Sequence, residues 1–182
     1  MNIKKLSISG LYIIEPRVFE DDRGYFYESY RRSVFKEAGI QVSFVQDNVS
    51  RSRAGTLRGL HYQIRSPQAK LIQCLKGRIL DVAVDLRRSS DSFGKYYSLE
   101  LSESNKKQFF IPEGFAHGFS VLSDEAIISY KCSDYYNPEG ERGIRWDDPS
   151  ISIDWRVEDC VLSDKDCKLP YLKELEEQDL FK

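Results

Sequence analysis

Hydrophobic residues along this chain recur in short runs that alternate with polar positions, a spacing typical of β-strands. The clearest run, I-L-D-V-A-V-D-L at residues 79–86, places Val82 and Val84 on one face of a strand. Asp81 and Asp85 then lie on the other face. Similar runs, separated by turn residues, occupy residues 11–14, 24–30, 42–46, 57–63, 70–75, 96–101, 108–111, 116–122, 126–132 and 143–146. Strands this short and closely spaced predict an all-β fold, an antiparallel sandwich or barrel.

Helical patterns are restricted to two short peripheral segments. Residues 33–39 predict a helix that Ser33 caps and Gly39 ends, and the acidic residues 172–180 predict a C-terminal helical tail. No repeat, low-complexity tract or linker interrupts the chain. We therefore expect a single domain over residues 1–182, with its core at about 8–172 and its tail at about 172–182.

Composition narrows the classes of partner. The 27 basic and 29 acidic side chains give a net charge of −2, which provides no general attraction to nucleic acid or to an anionic membrane. We find no apolar run long enough for a membrane span and no signal-peptide pattern at the start. The four cysteines include no C-x-x-C pair, so we expect free thiols and a cytoplasmic location.

Histidine is the scarcest candidate for chemistry, because His61 and His117 are the only two in the chain. Phosphate-binding glycine loops and the H-E-x-x-H zinc motif are absent from the sequence. A metal site on one strand face would call for a second histidine where Gln63 stands, so we expect no metal. Strand alternation places Arg58 on the opposite face from His61 unless a bulge near Gly59 shifts the register.

Seven ordered blocks make the sequence resemble a known family. They are D-R-G-Y-F-Y-E (22–28), F-V-Q-D-N (44–48), L-R-G-L-H-Y-Q (57–63), I-P-E-G-F-A-H-G-F (111–119), Y-K-C-S-D-Y-Y-N-P (130–138), I-R-W-D-D (144–148) and L-S-D-K-D (162–166). Together they are similar to the dTDP-4-dehydrorhamnose 3,5-epimerases, from about residue 8 to about 172. One departure is Val49, where the family usually has histidine after Q-D-N.

The resemblance implies a fold and a reaction. The fold is a cupin-type jelly roll, and the family usually forms homodimers in which an N-terminal strand joins the partner's sheet. The reaction inverts C3 and C5 of dTDP-4-dehydro-6-deoxy-D-glucose without a cofactor and gives dTDP-4-dehydro-L-rhamnose, in dTDP-L-rhamnose biosynthesis. Such inversion needs a base, an acid on the opposite side of the sugar, and a group that holds the enolate oxygen.

The resemblance also implies catalytic roles for four residues. His61 matches the base, and Asp166 pairs with it to fix the tautomer and stabilise the imidazolium. Tyr130 matches the general acid, and Lys70 matches the cation close to the C4 oxygen of the sugar. From sequence proximity alone, Tyr135 and Tyr136 are rivals for the acid, and Asp164 is a rival for Asp166.

The remaining matches correspond to positions that contact the sugar or the nucleotide diphosphate. Arginine suits phosphate because its planar guanidinium donates two parallel hydrogen bonds. The expected substrate-binding residues are Arg23, Glu28, Gln46, Asp47, Asn48, Arg58, Lys70, His117, Glu141 and Lys165.

Other functions fit parts of the same pattern. A relative that inverts a single carbon would need the same base and acid, and a ketoisomerase would also form an enediolate. A non-catalytic carbohydrate-binding jelly roll would need neither group. A metal-dependent cupin oxygenase is a fourth possibility, disfavoured by the shortage of histidine ligands.

Overall fold

The computed structural model describes residues 1–182 and is built almost entirely from β-strands. One helix, α1, spans Arg32–Glu37, and short 3₁₀ turns lie at Pro138–Gly140, Asp166–Lys168, Leu172–Glu174 and Glu177–Asp179. The strands are β1 Asn2–Lys5, β2 Tyr12–Glu15, β3 Val18–Asp21, β4 Gly24–Tyr27, β5 Gln46–Arg53, β6 Leu57–Gln63, β7 Lys70–Lys76, β8 Arg78–Asp85, β9 Tyr96–Ser102, β10 Gln108–Ile111, β11 Phe115–Val121, β12 Glu125–Cys132 and β13 Glu141–Gly143.

The strands form two large antiparallel sheets and a separate hairpin. One sheet has the order β1-β2-β10-β7-β12-β5, and the other has the order β13-β6-β11-β8-β9. The hairpin pairs β3 with β4. The two large sheets pack face to face, so the predicted all-β jelly-roll sandwich is confirmed.

Strand alternation divides the apolar residues into three layers. Along β10, Phe109 enters the core between the sheets, while its neighbour Phe110 packs on the outer face of the six-stranded sheet. Phe35 of α1 covers that outer face. The outer face of the five-stranded sheet is covered by the C-terminal segment, including Ile151 and Trp155. Each large sheet is thus buried on both faces over much of its area.

The predicted alternation along β8 is confirmed. Val82 and Val84 pack in the outer layer, whereas Ala83 lies in the core between the sheets. Asp81 and Asp85 are both fully buried on the inward face. Buried carboxylates require partners: Asp81 pairs with His117, and Asp85 pairs with Arg87.

Several predicted boundaries are wrong. Residues 42–46 are not a strand: β5 begins at Gln46 and extends to Arg53, through residues for which we predicted no strand. Strand β13 ends at Gly143 instead of starting there, and β1 and β3 are strands that the hydrophobic pattern does not predict. The hydrophobic pattern does not predict β5 because both of its faces carry polar side chains, so apolar and polar residues do not alternate along it.

Both helix predictions need correction. Arg31 precedes α1 without a side-chain cap, and Ser33 lies inside the helix instead of capping it. Gly39 does follow the helix, with a φ of +88°.

The C-terminal tail is two 3₁₀ turns in place of a helix. Its backbone is held by the sheet: Asp179 O accepts from Tyr62 Oη at 2.7 Å, and Phe181 N donates to Leu86 O at 3.2 Å. These contacts compete with continuous helical hydrogen bonding.

A bulge in β6 brings two predicted site residues to one face. His117 of β11 pairs with His61, and Phe119 pairs with Arg58, so three residue steps on β6 oppose two on β11. Gly59 lies in this bulge with a φ of +122°, and a Cβ there would stand 2.5 Å from Gly118 Cα. The close approach of β6 to β11 therefore depends on glycine.

We expect Gly59→Ala to lower the free energy of unfolding by more than about 3 kcal/mol, because it adds a backbone clash to an unfavourable φ. Gly24→Ala is the matched control, since Gly24 has a φ of +126° but open space around its Cβ position. Gly24→Ala should lower the free energy of unfolding by about 1 kcal/mol. Chemical denaturation of both variants measures the difference, and equal losses would contradict the proposed close approach.

Candidate active site

A cavity of about 540 Å³ opens between the two sheets, a size suited to a small ligand. A second cavity of about 280 Å³ adjoins it, and His61, Lys70 and Tyr130 line both. The larger cavity also contains the expected residues Arg58, His117, Lys165 and Asp166. The smaller one adds Gln46, Asn48 and Glu141.

His61 and Asp166 form a direct pair. Nε2 of His61 lies 2.6 Å from Oδ1 of Asp166, whose side chain is almost completely buried. Asp166 is held in its 3₁₀ turn by its backbone N–H, which donates to Ser163 Oγ at 3.1 Å. The rival Asp164 is exposed, so the 162–166 segment directs Asp166 inward and Asp164 to solvent.

The charge on Asp166 is stabilised by its partners. Burial works against ionisation, but the hydrogen bond and charge of His61, with Ser163 and Lys165, outweigh it and lower the pKa of Asp166. A carboxylate in this state accepts a hydrogen bond from Nε2–H of His61, which leaves Nδ1 of the ring without a protein partner.

Tyr130 faces His61 from the opposite sheet. It lies on β12 of the six-stranded sheet, whereas His61 lies on β6 of the five-stranded sheet. Burial, with a smaller contribution from Cys132, raises the pKa of Tyr130 and keeps its proton in place. Of the rival tyrosines, Tyr135 is 66% exposed and lines neither cavity. Tyr136 lines only the smaller cavity and donates to Glu141 at 2.7 Å.

Lys70 provides a cation that forms no ion pair within the chain. Burial lowers the pKa of Lys70, and Cys132, Asp81 and Glu141 act on that pKa in the opposite direction to a smaller extent. An ammonium group that lines a cavity without a carboxylate partner is available to an anionic or carbonyl oxygen of a ligand.

Arg58 is fixed across the space between the sheets. Its Nε donates to Ser52 Oγ of β5 at 3.1 Å, which joins the five-stranded sheet to the edge of the six-stranded one. At the other end of the site, Lys165 pairs with Glu141 at 2.6 Å. Cations therefore flank the cavity on more than one side.

His117 forms a second histidine–aspartate pair beside the first. Its Nε2 lies 2.9 Å from Oδ1 of Asp81, and both side chains are buried. The two histidines are cross-strand neighbours on β6 and β11.

Three of the expected substrate-binding residues lie outside both cavities. Arg23 pairs with Asp21 on the β3–β4 hairpin, and Glu28 pairs with Arg31. Asp47 points to the outer face of β5 and pairs with Lys131. Within one chain the structure does not bring these three to the site.

Val49, the departure from the family pattern, shares the outer face of β5 and is 69% exposed. Its side chain lies away from the cavity.

The chain contains no group of three or more His, Cys, Asp and Glu side chains that could hold a metal ion. All four cysteines are free. No helix is long and apolar enough to cross a membrane.

Comparison with known proteins agrees with the seven blocks. The family model for dTDP-4-dehydrorhamnose 3,5-epimerase matches residues 5–174. The chain belongs to the dTDP-4-dehydrorhamnose 3,5-epimerase family. A family member from Methanothermobacter thermautotrophicus is 52% identical over 173 residues, covering 93% of this chain and 94% of the relative.

Solved structures of relatives share the fold. The dTDP-6-deoxy-D-glucose-3,5-epimerase of Legionella pneumophila, in complex with dTDP-4-keto-L-rhamnose, has a TM-score of 0.97 and 48% identity, covering 100% of this chain and 97% of that one. A 3'-monoepimerase from Streptomyces bikiniensis, in complex with dTDP-quinovose, has a TM-score of 0.86 and 35% identity, covering 92% of this chain and 86% of that one.

Sequence reasoning missed several residues that line the site of this family member. Ser50, Ser52 and Arg53 line the larger cavity from β5, the strand that was not recognised. Gln63 and Cys132 line the smaller one. The sequence feature that could have revealed β5 is the recurrence of Gln, Asn, Ser and Ser at the even positions from 46 to 52, which is typical of a strand with a polar inward face.

The lowered pKa of Asp166 predicts a pH-dependent stability. A carboxyl group whose pKa is lowered by folding stabilises the fold fully above its pKa in the unfolded chain, about 4, and this contribution is lost as the pH falls through its pKa in the folded protein. At pH 7 we expect Asp166→Asn to lower the free energy of unfolding by about 2 kcal/mol, the value of a charged hydrogen bond.

Below pH 4 the difference in the free energy of unfolding between Asp166→Asn and wild type should become smaller. Urea denaturation at several pH values measures it, with Asp164→Asn as the exposed control. A gap that stays constant down to pH 2 would contradict the assignment of a stabilising charge to Asp166.

Proposed function

We propose that this protein inverts C3 and C5 of dTDP-4-dehydro-6-deoxy-D-glucose to give dTDP-4-dehydro-L-rhamnose, in dTDP-L-rhamnose biosynthesis. One observation carries the proposal: His61 and Tyr130 line the same two adjoining cavities from opposite sheets, and Lys70 lines both cavities as well. Proton removal from one side of a sugar ring and return to the other requires this arrangement.

The base in this mechanism is His61. The C4 carbonyl acidifies the C–H bonds at C3 and C5, and Nδ1 of His61 removes the proton while Nε2–H stays bonded to Asp166. The Asp166 carboxylate then stabilises the imidazolium that forms. The electron pair of the broken C–H bond moves into the ring and produces an enolate at the C4 oxygen.

Lys70 and Tyr130 complete the step. The Lys70 ammonium stabilises the enolate oxygen, a type of contact whose loss costs about 3 kcal/mol in related oxyanion sites. Tyr130 gives its phenolic proton to the carbon from the opposite side, and exchange with solvent returns both side chains to their starting protonation states. The raised pKa of Tyr130 keeps this proton available until the enolate forms.

The cations of the site suit a nucleotide diphosphate. We propose that Arg58 and Lys165 contact the sugar or its phosphates, with Gln46, Asn48 and Glu141 as further contacts in the smaller cavity. Because the protein carries a net charge of −2, these few cations bind the anion by position and not through a basic surface.

A single-carbon epimerase is the second candidate, favoured by the likeness to the Streptomyces bikiniensis 3'-monoepimerase. Incubation of dTDP-4-dehydro-6-deoxy-D-glucose with the protein in deuterated water, followed by NMR, separates the two. We expect deuterium at both C3 and C5. Label at one carbon would support the monoepimerase, and unlabelled substrate would reject epimerisation altogether.

Variants in the same assay test the assigned roles. His61→Ala and Tyr130→Phe should each reduce turnover at least 100-fold, typical of the loss of a general acid or base, while dTDP binding changes little. Tyr135→Phe is the control, since Tyr135 lies outside both cavities. Full activity in His61→Ala would show that another group acts as the base.

We further propose a homodimer in a cytoplasmic enzyme. The β3–β4 hairpin exposes Phe19 and Phe26, the latter by 70%, and carries Arg23 away from the cavity of its own chain. An apolar exposed hairpin suits burial against a second subunit, where Arg23 and Glu28 could reach the partner's nucleotide. The four free cysteines fit a reducing compartment.

Light scattering should give twice the 21.2 kDa chain mass for wild type. Phe26→Asp should shift the mass toward one chain and raise KM, whereas Phe93→Asp, at an exposed phenylalanine outside the hairpin, should change neither. A fully active wild-type monomer would overturn the dimer proposal.

A further inference from the structure

Tyr62 and Arg142 form a cross-strand pair on the outer face of the five-stranded sheet. β13 pairs with β6 in antiparallel register, which places Arg142 beside Tyr62. Their chain neighbours His61 and Glu141 line the cavities from the inward face. Because successive side chains of a strand alternate between its faces, a contact with Tyr62 or Arg142 lies directly behind a site residue.

Asp179 of the C-terminal tail binds both members of this pair. Its backbone O accepts a hydrogen bond from Tyr62 Oη at 2.7 Å, and its Oδ1 accepts one from Arg142 Nε at 2.6 Å. The Asp179 side chain is only 18% exposed. Hydrogen bonds between charged groups at such short distances are stronger than those between neutral groups. One residue of the tail therefore holds neighbouring positions on two strands.

Arg142 connects Asp179 to the backbone of the segment that enters β13. Its Nη1 donates to the carbonyl oxygens of Glu139 and Glu141, at 3.1 and 2.9 Å. The guanidinium thus joins the 3₁₀ turn Pro138–Gly140 and the first residue of β13 to the tail.

β13 is a short strand that depends on such support. It has three residues, lies at the edge of its sheet and pairs with β6 alone. Short segments with few buried contacts open locally at a lower free energy than central strands. Glu141 begins β13, and its carboxylate binds Lys165 at 2.6 Å and Tyr136 Oη at 2.7 Å. Opening of β13 would separate Glu141 from these partners and from a ligand in the smaller cavity.

The rest of the tail is attached to the sheet by other contacts. Phe181 packs on the ring of Tyr62 with a centroid distance of 5.8 Å, and its backbone N–H donates to Leu86 O. Glu177 pairs with Arg88 at 2.8 Å through side chains that are both exposed. Removal of the Asp179 carboxylate would therefore leave the tail docked and break its contact with β13.

We propose that Asp179 is a positioning residue that holds β13 against β6 from the outer face and keeps Glu141 in place beside the cavity. It acts through Arg142, because the tail and the cavity lie on opposite sides of the sheet. The inference rests on the proposed epimerase function, in which Glu141 contacts the nucleotide sugar. The family model ends at residue 174, so the family resemblance assigns Asp179 no role.

The kinetic test is Asp179→Ala, which removes the carboxylate and keeps the backbone O that binds Tyr62. We expect KM for dTDP-4-dehydro-6-deoxy-D-glucose to rise about 5- to 10-fold, the effect of one weakened polar contact, with kcat within about twofold of wild type. Glu177→Ala is the matched control in the same tail and should change neither constant. An unchanged KM in Asp179→Ala, or an equal rise in Glu177→Ala, would overturn the proposal.

A double-mutant cycle tests the route through Arg142. In an Arg142→Ala background, Asp179→Ala should raise KM no further, because the contact between the two side chains is already absent. An undiminished second rise in KM would reject the coupling.

Hydrogen–deuterium exchange gives a readout that needs no substrate. In Asp179→Ala the backbone amides of residues 141–144 should exchange at least about 10-fold faster, while those of β8 keep their wild-type protection. Unchanged exchange at 141–144 would reject the positioning role, and equal acceleration in β8 would show a general loss of stability in its place. If wild type did not epimerise the sugar but this local change in exchange occurred, the proposed function would fail and the role of Asp179 in holding β13 would stand.

Discussion

The structure depends on a division of the inward faces of two sheets between an apolar core and a polar cavity. Ile72, Phe109 and Ile128 pack between the sheets, and Lys70, Tyr130 and the histidines continue the same strand faces into the cavity. Strand alternation enforces this continuity, because every second residue of a strand must face the same way. The buried core thereby holds the cavity walls at a fixed separation, so that groups from opposite sheets address one ligand from two sides.

Polar groups buried at the boundary between core and cavity need hydrogen-bond partners, and these partners also orient the side chains that face the ligand. Asp166 gains a hydrogen bond from His61, Asp81 gains one from His117, and Arg58 is tied to Ser52. Each contact fixes a ring or a guanidinium in one orientation, which is the preorganisation that enolate chemistry requires. Lys70 is the exception, because it faces the cavity with no ion-pair partner of its own.

Sequence patterns predicted the sheets well where one face is apolar, as along β8, and failed where both faces are polar. β5 is the instructive case: its inward residues, such as Ser52, line the cavity, so the apolar alternation that normally reveals a strand is absent. The prediction of a helical tail is wrong because sequence periodicity contains no information about the hydrogen bond from Tyr62 Oη to Asp179 O. His61, Tyr130 and Lys70 were named through family resemblance, since spacing alone could not bring together residues from strands in different sheets.

Long-range pairing also limits what a single sequence can predict about Asp81. The alternation along β8 predicted only that its side chain lies on the face opposite Val82 and Val84, and its partner His117 comes from β11, 36 residues away. The same strand contains Asp85, which has similar apolar neighbours and an entirely different set of partners. Local pattern therefore assigns a side chain to one of the two faces of a strand, while the burial of Asp81 and its pairing with His117 arise only from contacts across strands and sheets.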